Sequence, residues 1–528
     1  MLLPDLMQGI EHRRLAGAEG SVLAGLEIGK VTTDSRAAGP GVGFFAVPGS
    51  QADGHDFLAD ALARGATLLA LEREEAAPAL SPDQAEGVAV LRVEDGRAAL
   101  AEAAANLAGR PAERLPLVGI TGTNGKTTVS WILESIARAA GRPSGLVGTV
   151  AFRFAGIERP ATHTTPGPEI LQPLLAEMVE AGTELAVLEV SSHALDQRRV
   201  EGCRFRAAVF TGLSRDHLDY HPDLESYFQA KARLFHEHLE PGAAAVVSLD
   251  GEWGRRLHTE LAERGLEPVG TSATDEPAEG AAAFASEIRL GLEGIRATLH
   301  LPRTGALPIR SEMVGRHNLA NLLSAAATAE ALGISGEQIR EGIAAFPGPP
   351  GRLQRVADPR AGTAPRHTFV DYAHTDDALL RVIEGLRLLS PPSARIVVVF
   401  GCGGDRDRGK RPLMAAAAAR ADRVVVTSDN PRSEDPEAII AEILPGLPVG
   451  CEHQVEADRR RAIEQAAGLA GPGDVLLIAG KGHETYQLIG DRKLPFDDAK
   501  VAASALLTVA PESRSPVAPG TRGGGAEG

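Results

Sequence analysis

The chain has 528 residues, a length that predicts roughly three domains of ~150 residues each. Hydrophobic residues make up 43% and charged residues 23%, and the net charge of -16 argues against a general binder of nucleic acid or membrane surfaces. The three cysteines, Cys203, Cys402 and Cys451, are far apart and indicate neither a disulfide framework nor a metal-type spacing. The N-terminus has acids early and no long apolar run, so we expect a cytoplasmic protein with no signal peptide or membrane span.

Short apolar runs recur along the chain, each followed by a polar or glycine-rich loop and a helical stretch. Such runs are typical of strands buried on both faces in parallel α/β sheets, where ligands bind at the carboxyl ends of strands. The predicted strands span 115–120, 184–190, 206–211, 243–249, 367–370, 395–400, 423–427 and 474–479.

Changes in composition mark the expected domain boundaries. Residues 108–116 separate an N-terminal α/β region from the middle domain, and the Pro/Gly-rich segment 346–354 leads into a third domain with a Rossmann-like pattern. We therefore predict domains at 1–112, 113–347 and 348–509, followed by a low-complexity tail at 510–528 that we expect to be disordered.

Lysine is rare in this chain, because arginine supplies nearly every cation. Of 54 basic residues, seven are lysines: Lys30, Lys126, Lys231, Lys410, Lys481, Lys493 and Lys500. Each lysine is therefore a candidate for chemistry that arginine cannot perform. Three of them, Lys126, Lys410 and Lys481, lie in glycine-rich loops.

The stretch VGITGTNGKTTV, residues 118–129, runs from a predicted strand into a predicted helix. Backbone N–H groups of such a loop bind phosphates, so it predicts an ATP site. Lys126 would reach the β- and γ-phosphates, and the Thr127 hydroxyl would hold Mg²⁺. Ile120 stands where the strict Walker pattern has its first glycine. The predicted phosphate-binding residues are Gly122, Thr123, Asn124, Gly125, Lys126, Thr127 and Thr128.

Acids and imidazoles follow the phosphate loop. Glu189 ends a predicted strand, and residues 211–235 contain several acids and histidines together with Lys231. Oxygen ligands and imidazole beside a phosphate loop suit a Mg²⁺ site. Lys231 lies in the predicted helix LESYFQAKARLF, where a solvated lysine is the alternative interpretation.

TGTNGKTT resembles the signature of the Mur ligase superfamily, three-domain ATP-dependent enzymes that form amide bonds and include the folylpolyglutamate synthases. The resemblance implies that Thr127 and Glu189 bind one Mg²⁺. It also implies that His217 and Lys231, the latter carbamylated by CO₂, bind a second Mg²⁺. It also implies that closure of the third domain completes the ATP site. The implied catalytic residues are Lys126, Glu189, His217 and Lys231, and the further nucleotide contacts are Asn321 to adenine, Arg352 to phosphates and Asp371 to ribose. Most relatives have proline at the position that Asp376 occupies in this chain.

Residues 31–57, together with THTTPGP and VSSHALDQRR, resemble the Mur ligases that act on UDP-N-acetylmuramoyl-dipeptide. Folylpolyglutamate synthases lack this N-terminal domain, so the match weighs against them. His163 stands where relatives often carry asparagine. The implied contacts to the nucleotide-sugar peptide are Ser35, Ser50, Gln51, Ala52, Thr164, Thr165, Ser191, Gln197 and Arg199.

Loops 401–414, 428–432 and 480–487 resemble those of Mur ligases that add the third residue of the peptidoglycan stem peptide. In these enzymes DNPR accompanies meso-diaminopimelate rather than lysine. The distal end of diaminopimelate carries a carboxylate as well as an ammonium, and a guanidinium binds a carboxylate bidentately. The implied acceptor site pairs Arg406 and Arg432 with the carboxylate and Asp429 and Glu484 with the ammonium, and Asn430, Pro431 and Gly480 complete it.

The function that follows is ATP-dependent addition of meso-2,6-diaminopimelate to the D-glutamate of UDP-N-acetylmuramoyl-L-alanyl-D-glutamate through an acyl phosphate, by an enzyme expected to be a monomer. One alternative is another amide ligase of the superfamily, adding lysine or acting on folate. The other is a nucleotide-gated binding or regulatory protein with no ligase chemistry. Acceptor-dependent release of phosphate from ATP would separate a ligase from such a switch.

Overall fold

The computed structural model describes residues 1–49, 52–359 and 366–508, so Ser50, Gln51 and the predicted tail lie outside the described residues. The chain divides into two compact units. The first consists of Met1–Arg289, Arg296–Ser311 and Arg316–Phe346. The second consists of Leu290–Ile295, Glu312–Gly315 and the described chain from Pro347 onward.

The N-terminal region forms a five-stranded sheet in the order β1-β5-β4-β3-β2. Only the pairing of β1 with β5 is antiparallel among these described strands. Its strands are β1 His12–Gly17, β2 Lys30–Thr32, β3 Val42–Phe45, β4 Leu68–Leu71 and β5 Ala89–Val93. Its α-helices are α1 Leu3–Leu6, α2 Gly20–Ala24, α3 Leu58–Ala63, α4 Pro82–Ala85 and α5 Gly96–Leu107.

The middle region forms an eleven-stranded sheet in the order β16-β15-β14-β13-β12-β11-β6-β10-β7-β8-β9. Its strands are β6 Leu117–Thr121, β7 Ser144–Val147, β8 Ala151–Phe154, β9 Ile157–Pro160, β10 Leu185–Glu189, β11 Phe205–Phe210, β12 Leu239–Ser248, β13 Val269–Ser272, β14 Ala281–Gly291, β15 Gly294–Leu301 and β16 Gly305–Ser311. Its α-helices are α6 Lys126–Ala139, α7 Pro168–Glu180, α8 Ser192–Asp196, α9 Leu224–His236, α10 Glu252–Glu263, α11 Arg316–Ala331 and α12 Gly336–Ala344.

The C-terminal region forms a six-stranded sheet in the order β17-β18-β22-β19-β20-β21, beside a two-stranded hairpin. Its strands are β17 Gln354–Val356, β18 His367–Asp371, β19 Ile396–Phe400, β20 Arg423–Val426, β21 His453–Val455, β22 Val475–Ala479, β23 Tyr486–Ile489 and β24 Arg492–Pro495. Its α-helices are α13 Asp376–Leu389, α14 Lys410–Ala418, α15 Pro436–Ile443, α16 Arg459–Leu469 and α17 Asp498–Thr508.

The predicted α/β class is confirmed, and each of the eight predicted apolar runs overlaps a strand. The strands that carry the motifs pair in parallel: β6 lies between β10 and β11, and β22 lies between β18 and β19. Every residue of β6, β10, β19 and β22 is buried, which explains their continuous apolar sequences. Parallel pairing brings the loops after these strands to the same edge of each sheet.

Side-chain caps explain where several motif helices begin. The side chain of Ser191 accepts the N–H of Ala194 at the start of α8, and Asp223 caps α9 in the same way. Among the described residues, no helix is both long enough and apolar enough to cross a membrane.

Candidate active site

The phosphate loop joins β6 to α6 and depends on its glycines. Gly122 and Gly125 have φ angles of 144° and 87°, a region that favours glycine. A Cβ at Gly122 would lie 2.0 Å from the hydroxyl oxygen of Thr211, so no side chain fits there. The loop then turns directly into α6, which begins at Lys126.

The polar groups of this loop are gathered at the N-terminus of α6. The Nζ atom of Lys126 donates to the carbonyls of Gly122 and Thr123 at 2.9 and 3.0 Å. Thr127 and Thr128 are buried, whereas Asn124 is exposed. An ammonium beside the N–H groups of a 14-residue helix is an arrangement that binds phosphate.

Glu189 ends β10 and lies fully buried beside the phosphate loop. Its Oε2 accepts the hydroxyls of Thr127 and Thr149, both at 2.9 Å, and its Oε1 accepts the N–H of Thr149 at 3.1 Å. Burial raises the pKa of Glu189, while the charge of Lys126 and these hydrogen bonds act in the opposite direction. The predicted pair of Thr127 and Glu189 is thus brought together.

Gly148 leaves room for the Glu189 carboxylate, because a Cβ at this position would lie 2.1 Å from Oε1. We expect Gly148→Ala to displace the carboxylate and lower kcat/KM by about 10²-fold, the cost of a shift of roughly 1 Å in a catalytic group. Steady-state kinetics at saturating ATP measure this.

Gly385→Ala is the matched control for Gly148→Ala. Gly385 lies in α13, and a Cβ there meets no atom within 4 Å. We expect unchanged kinetics and slightly higher stability, because alanine favours a helix over glycine. Equal activity of the two variants would contradict the role of Gly148.

The residues predicted to contact the nucleotide-sugar peptide from the middle region form one hydrogen-bonded cluster. Arg199 donates to Oε1 of Gln197 at 2.7 and 3.2 Å and to the carbonyl of Thr165 at 2.8 Å. The Thr165 hydroxyl accepts the N–H of Ser191 at 3.1 Å. The hydroxyl oxygen of Thr164 lies 3.0 Å from that of Thr149, which connects this cluster to Glu189.

The N-terminal members of the predicted contact set are described in part. Ser35 is half-buried in the 3-10 helix Ser35–Ala37, which begins at a cap from Asp34. Ala52 is exposed, and its carbonyl accepts the N–H of Gly49 at 3.0 Å. His163 is exposed in the loop that precedes Thr164.

Lys231 is only 1% exposed in α9. Its Nζ donates to the carbonyl of Gly122 at 3.0 Å and lies 4.4 Å from the ring centre of Tyr227. Burial, and then the charge of Lys126, hold the pKa of Lys231 well below its usual value, which favours the neutral amine. The hydroxyl oxygen of Tyr227 lies 3.2 Å from that of Thr123, so this ring also contacts the phosphate loop.

His217 lies near Lys231, and both contact Tyr227. The ring centre of His217 is 5.9 Å from that of Tyr227 and 4.9 Å from that of His193. Its φ of 53° is unusual for a residue other than glycine, and such backbone strain is concentrated at functional sites. The predicted catalytic residues Lys126, Glu189, His217 and Lys231 therefore surround one loop.

The fit of this site to Mg²⁺ depends on the chemistry of its donors. Among the described residues, no group of three or more His, Cys, Asp or Glu side chains is arranged to hold a metal ion. Glu189 and the Thr127 hydroxyl are oxygen donors of the type that Mg²⁺ prefers. His217 lies near the buried Lys231, and its Nε2 is 3.8 Å from the exposed carboxylate of Asp216. Carbamylation of Lys231 would add a carboxylate-like ligand beside His217 for a second ion.

Of the predicted nucleotide contacts, Asn321 belongs to the first unit, and Arg352 and Asp371 belong to the second. In the first unit, a Cβ at Gly125 would lie 2.5 Å from Oδ1 of Asn321, so this amide lies against the phosphate loop. In the second unit, the Asp371 carboxylate accepts the N–H groups of Leu353 and Ala373 at 2.7 and 2.8 Å. The guanidinium of Arg352 lies 5.0 Å from the ring centre of Tyr372.

The three predicted acceptor loops meet in the second unit. Asn430 donates to Oε2 of Glu484 at 2.8 Å, and Arg432 donates to the carbonyl of Gly404 at 2.7 Å. A Cβ at Gly403 would lie 2.9 Å from Nη1 of Arg432 and 3.7 Å from Cγ of Arg406, so both arginines reach the same glycine.

The arginines of these loops and the buried Lys481 differ in whether they pair with a carboxylate. Among the described residues, the Arg432 guanidinium pairs with no carboxylate, and Arg406 is exposed. By contrast, Lys481 is fully buried, and its Nζ contacts Oε2 of Glu484 at 3.0 Å and Oδ1 of Asn430 at 3.1 Å. One end of the cluster thus presents guanidinium groups, and the other end presents carboxylates held by buried cations.

Arg459 lies beneath this cluster and is only 1% exposed. It forms a bidentate pair with Asp498 at 2.8 and 2.7 Å. It also donates to the carbonyl of Ser428, the first residue of loop 428–432, and to that of Ala479, the residue before loop 480–487. Burial raises the pKa of Asp429, whereas the charges of Arg459 and Lys481 lower it. A Cβ at Gly480 would lie 2.7 Å from Oδ2 of Asp429, so this carboxylate requires the glycine.

We expect Arg459→Met to lower the free energy of unfolding by about 3–5 kcal/mol, because it leaves the buried Asp498 without a partner. Chemical denaturation measures this change. Arg340→Met is the control, since Arg340 pairs with Glu337 on the surface and should contribute little. Equal stabilities of the two variants would contradict a structural role for Arg459.

Three residues of these sites were missing from the predicted contact sets. The sequence singled out Lys481, since it is one of seven lysines and lies in a glycine-rich loop. No sequence feature singled out Arg459, because it lies in the run RRR of an arginine-rich chain. No sequence feature singled out Thr149 either, because an isolated threonine after a strand is ordinary.

A phosphate loop at a strand–helix junction, with a buried carboxylate at the end of the neighbouring strand, defines the class of α/β enzymes that use a nucleoside triphosphate. Three family models match the chain: "Mur ligase family, catalytic domain" over residues 27–107, "Mur ligase middle domain" over 120–329, and "Mur ligase, glutamate ligase domain" over 351–482.

Full-length relatives agree with these matches. A UDP-N-acetylmuramoyl-L-alanyl-D-glutamate--2,6-diaminopimelate ligase of Geobacter metallireducens is 43% identical, with 96% of this chain and 98% of the relative covered. A ligase of the same name from Gloeobacter violaceus is 46% identical, with 94% and 97% covered. A solved structure with that name has a TM-score of 0.66 at 34% identity, with 91% and 94% covered.

The chain belongs to the Mur ligase family. It is an ATP-dependent ligase that forms carbon–nitrogen bonds, and its fold is the three-domain α/β fold of that family. The predicted family and enzyme class are therefore confirmed, whereas the predicted domain boundaries and the roles of individual site residues stay predictions.

Proposed function

We propose that this chain adds meso-2,6-diaminopimelate to the D-glutamate of UDP-N-acetylmuramoyl-L-alanyl-D-glutamate in peptidoglycan precursor synthesis. Relatives that carry this activity in their name match nearly the whole chain at 43–46% identity. The observation that carries the proposal is the meeting of the three acceptor loops in one cluster with both guanidinium and carboxylate groups. The proposed ATP and UDP-linked substrates support a reaction in the cytoplasm.

The reaction proceeds in two steps. The D-glutamate γ-carboxylate attacks the γ-phosphorus of ATP, ADP leaves, and an acyl phosphate forms. The neutral amine of the amino acid then attacks the acyl carbon, the amide bond forms, and phosphate leaves while the amine loses a proton. Charge on the transferring phosphoryl group is neutralised by Lys126 and by the N–H groups of the phosphate loop.

Bound Mg²⁺ would supply positive charge for the phosphate oxygens, and Thr127 with Glu189 would hold it. A second site would consist of His217 and carbamylated Lys231. The support is the burial of Lys231 on a chain that otherwise uses arginine, together with its contact to the carbonyl of Gly122. The family resemblance assigns Asn321 to adenine, Arg352 to phosphates and Asp371 to ribose.

The acceptor site matches the distal end of diaminopimelate by charge. Its carboxylate pairs with Arg432 and Arg406, which meet at Gly403. Three buried or half-buried carboxylates, Asp429, Glu484 and Asp498, accompany two buried cations, Arg459 and Lys481, which leaves one negative charge for the substrate ammonium. Lysine supplies that ammonium as well, so the arginines distinguish the two amino acids.

The test measures phosphate release from ATP with UDP-N-acetylmuramoyl-L-alanyl-D-glutamate and either meso-diaminopimelate or lysine. We expect turnover with diaminopimelate and a preference of up to ~10⁴–10⁵-fold over lysine. A preference for lysine would overturn the assignment of Arg432 to the distal carboxylate of diaminopimelate. Phosphate release that is independent of any acceptor would instead support the nucleotide-gated alternative.

A further inference from the structure

Thr149 connects two sets of residues that serve different substrates. It follows β7, where its hydroxyl donates to Oε2 of Glu189 at 2.9 Å and its N–H donates to Oε1 at 3.1 Å. Its hydroxyl oxygen also lies 3.0 Å from that of Thr164. Glu189 belongs to the phosphate-transfer residues, and Thr164 belongs to the cluster assigned to the nucleotide-sugar peptide.

The direction of this chain of hydrogen bonds follows from its protons. A carboxylate only accepts hydrogen bonds, and each hydroxyl has a single proton. Thr149 therefore donates its proton to Glu189, and the 3.0 Å contact with Thr164 requires Thr164 to be the donor. Thr164 is half-buried, and because its single proton points to Thr149, its oxygen can offer only lone pairs to a ligand.

The neighbouring hydroxyl is fixed in a similar way. Thr165 donates to the carbonyl of Glu189 at 2.8 Å and accepts the N–H of Ser191 at 3.1 Å. Beside these two threonines, the Arg199 guanidinium can only donate. The cluster thus offers an acceptor at Thr164 and a donor at Arg199, a pattern suited to a peptide-like ligand with both N–H and anionic groups.

We propose that Thr149 is a positioning residue that makes Thr164 a hydrogen-bond acceptor for an amide N–H of the nucleotide-sugar dipeptide. The inference rests on the proposed function and deepens it, because it assigns a polarity to one contact with that substrate. Thr149 acts through Thr164, and its backbone N–H also fixes the orientation of the Glu189 carboxylate.

Thr149→Val tests this role, because valine keeps the size of threonine and the backbone N–H to Glu189 but removes the hydroxyl. We expect the variant to bind UDP-N-acetylmuramoyl-L-alanyl-D-glutamate about tenfold more weakly in calorimetry without ATP or metal, since one oriented hydrogen bond is lost. In kinetics, KM for this substrate should rise more than kcat falls. Thr149→Ser should restore binding to within about twofold of wild type.

A double-variant cycle separates this role from general loss of structure. Thr164→Val should weaken binding to a similar degree, and Thr149→Val with Thr164→Val should bind no more than about twofold more weakly than Thr164→Val alone. The proposal would be overturned if the affinity losses of the two single variants multiplied in the double variant. It would also be overturned if Thr149→Val bound with wild-type affinity, or if Thr149→Ser failed to restore binding.

Two controls keep the result interpretable. Thermal unfolding reports whether each variant is folded, and Thr149→Ala replaces Thr149→Val if valine prevents folding. Failure of the wild-type protein to bind the dipeptide would refute the proposed function itself, whereas wild-type binding without the expected coupling refutes only the role of Thr149.

Discussion

Lys231→Ala should lower kcat by about 10³-fold, because it removes the only group at this position that can become a carboxylate. Short carboxylates such as formate or acetate should restore part of the activity by entering the space left by the side chain. The physical basis is burial: Lys231 is 1% exposed, which disfavours its ammonium form and leaves the neutral amine that reacts with CO₂.

Two variants control this experiment. Lys231→Arg keeps a long cation that cannot be carbamylated, so neither formate nor acetate should rescue it. Lys500→Ala removes a lysine whose side chain is 84% exposed, and it should leave activity unchanged.

The modification itself has a direct readout. Incubation with carbon-13-labelled bicarbonate should give a carbamate signal in NMR of the wild-type protein, and Lys231→Ala should lack it. Full unaided activity of Lys231→Ala would end the carbamate hypothesis and leave the ligase function intact.

Arg432→Met should lower the preference for meso-diaminopimelate over lysine by about 10²–10³-fold, mainly through kcat/KM for diaminopimelate. Arg432 has no carboxylate partner among the described residues, although it lies in a cluster where other charges are paired. The substrate carboxylate would supply that partner. Competition between the two amino acids, with products separated by chromatography, measures the preference.

Arg408→Met is the matched control for Arg432→Met. Arg408 lies in the same loop as Arg406, but it pairs with Glu442 on the surface. We therefore expect Arg408→Met to prefer meso-diaminopimelate over lysine as strongly as the wild type does. A loss of preference in Arg408→Met as large as in Arg432→Met would show that any change in these loops disturbs the acceptor site.

The strands and the loops that follow them could be predicted from the sequence. Continuous apolar runs such as β6 and β22 are buried on both faces, and local composition is enough to recognise them. The same holds for the phosphate loop, since its glycines and Lys126 lie within a few residues of one another. The predicted catalytic residues could be assigned to one site because the motifs that carry them resemble those of a known family.

The pairing of charges within the sites could not be predicted in this way. Lys481 was recognised as unusual, but its contacts to Asn430 and Glu484 were not expected. Arg459 reaches Asp498, which lies 39 positions away in the chain, and both are hidden among many similar residues. The contact of Lys481 with Asn430 forms only when strand order brings the loops after β20 and β22 together, and the pair of Arg459 with Asp498 forms only when α16 packs against α17.

The sequence by itself thus determined the family, the class of chemistry and the loops that carry it, because these depend on residues close together in the chain. Only the tertiary structure decided which hydrogen bonds those loops make. Thr149 is the clearest case: its contact to Glu189 spans 40 positions and requires β7 to lie beside β10. The polarity of a binding site depends on such contacts, because the partner of each hydroxyl decides where its single proton points.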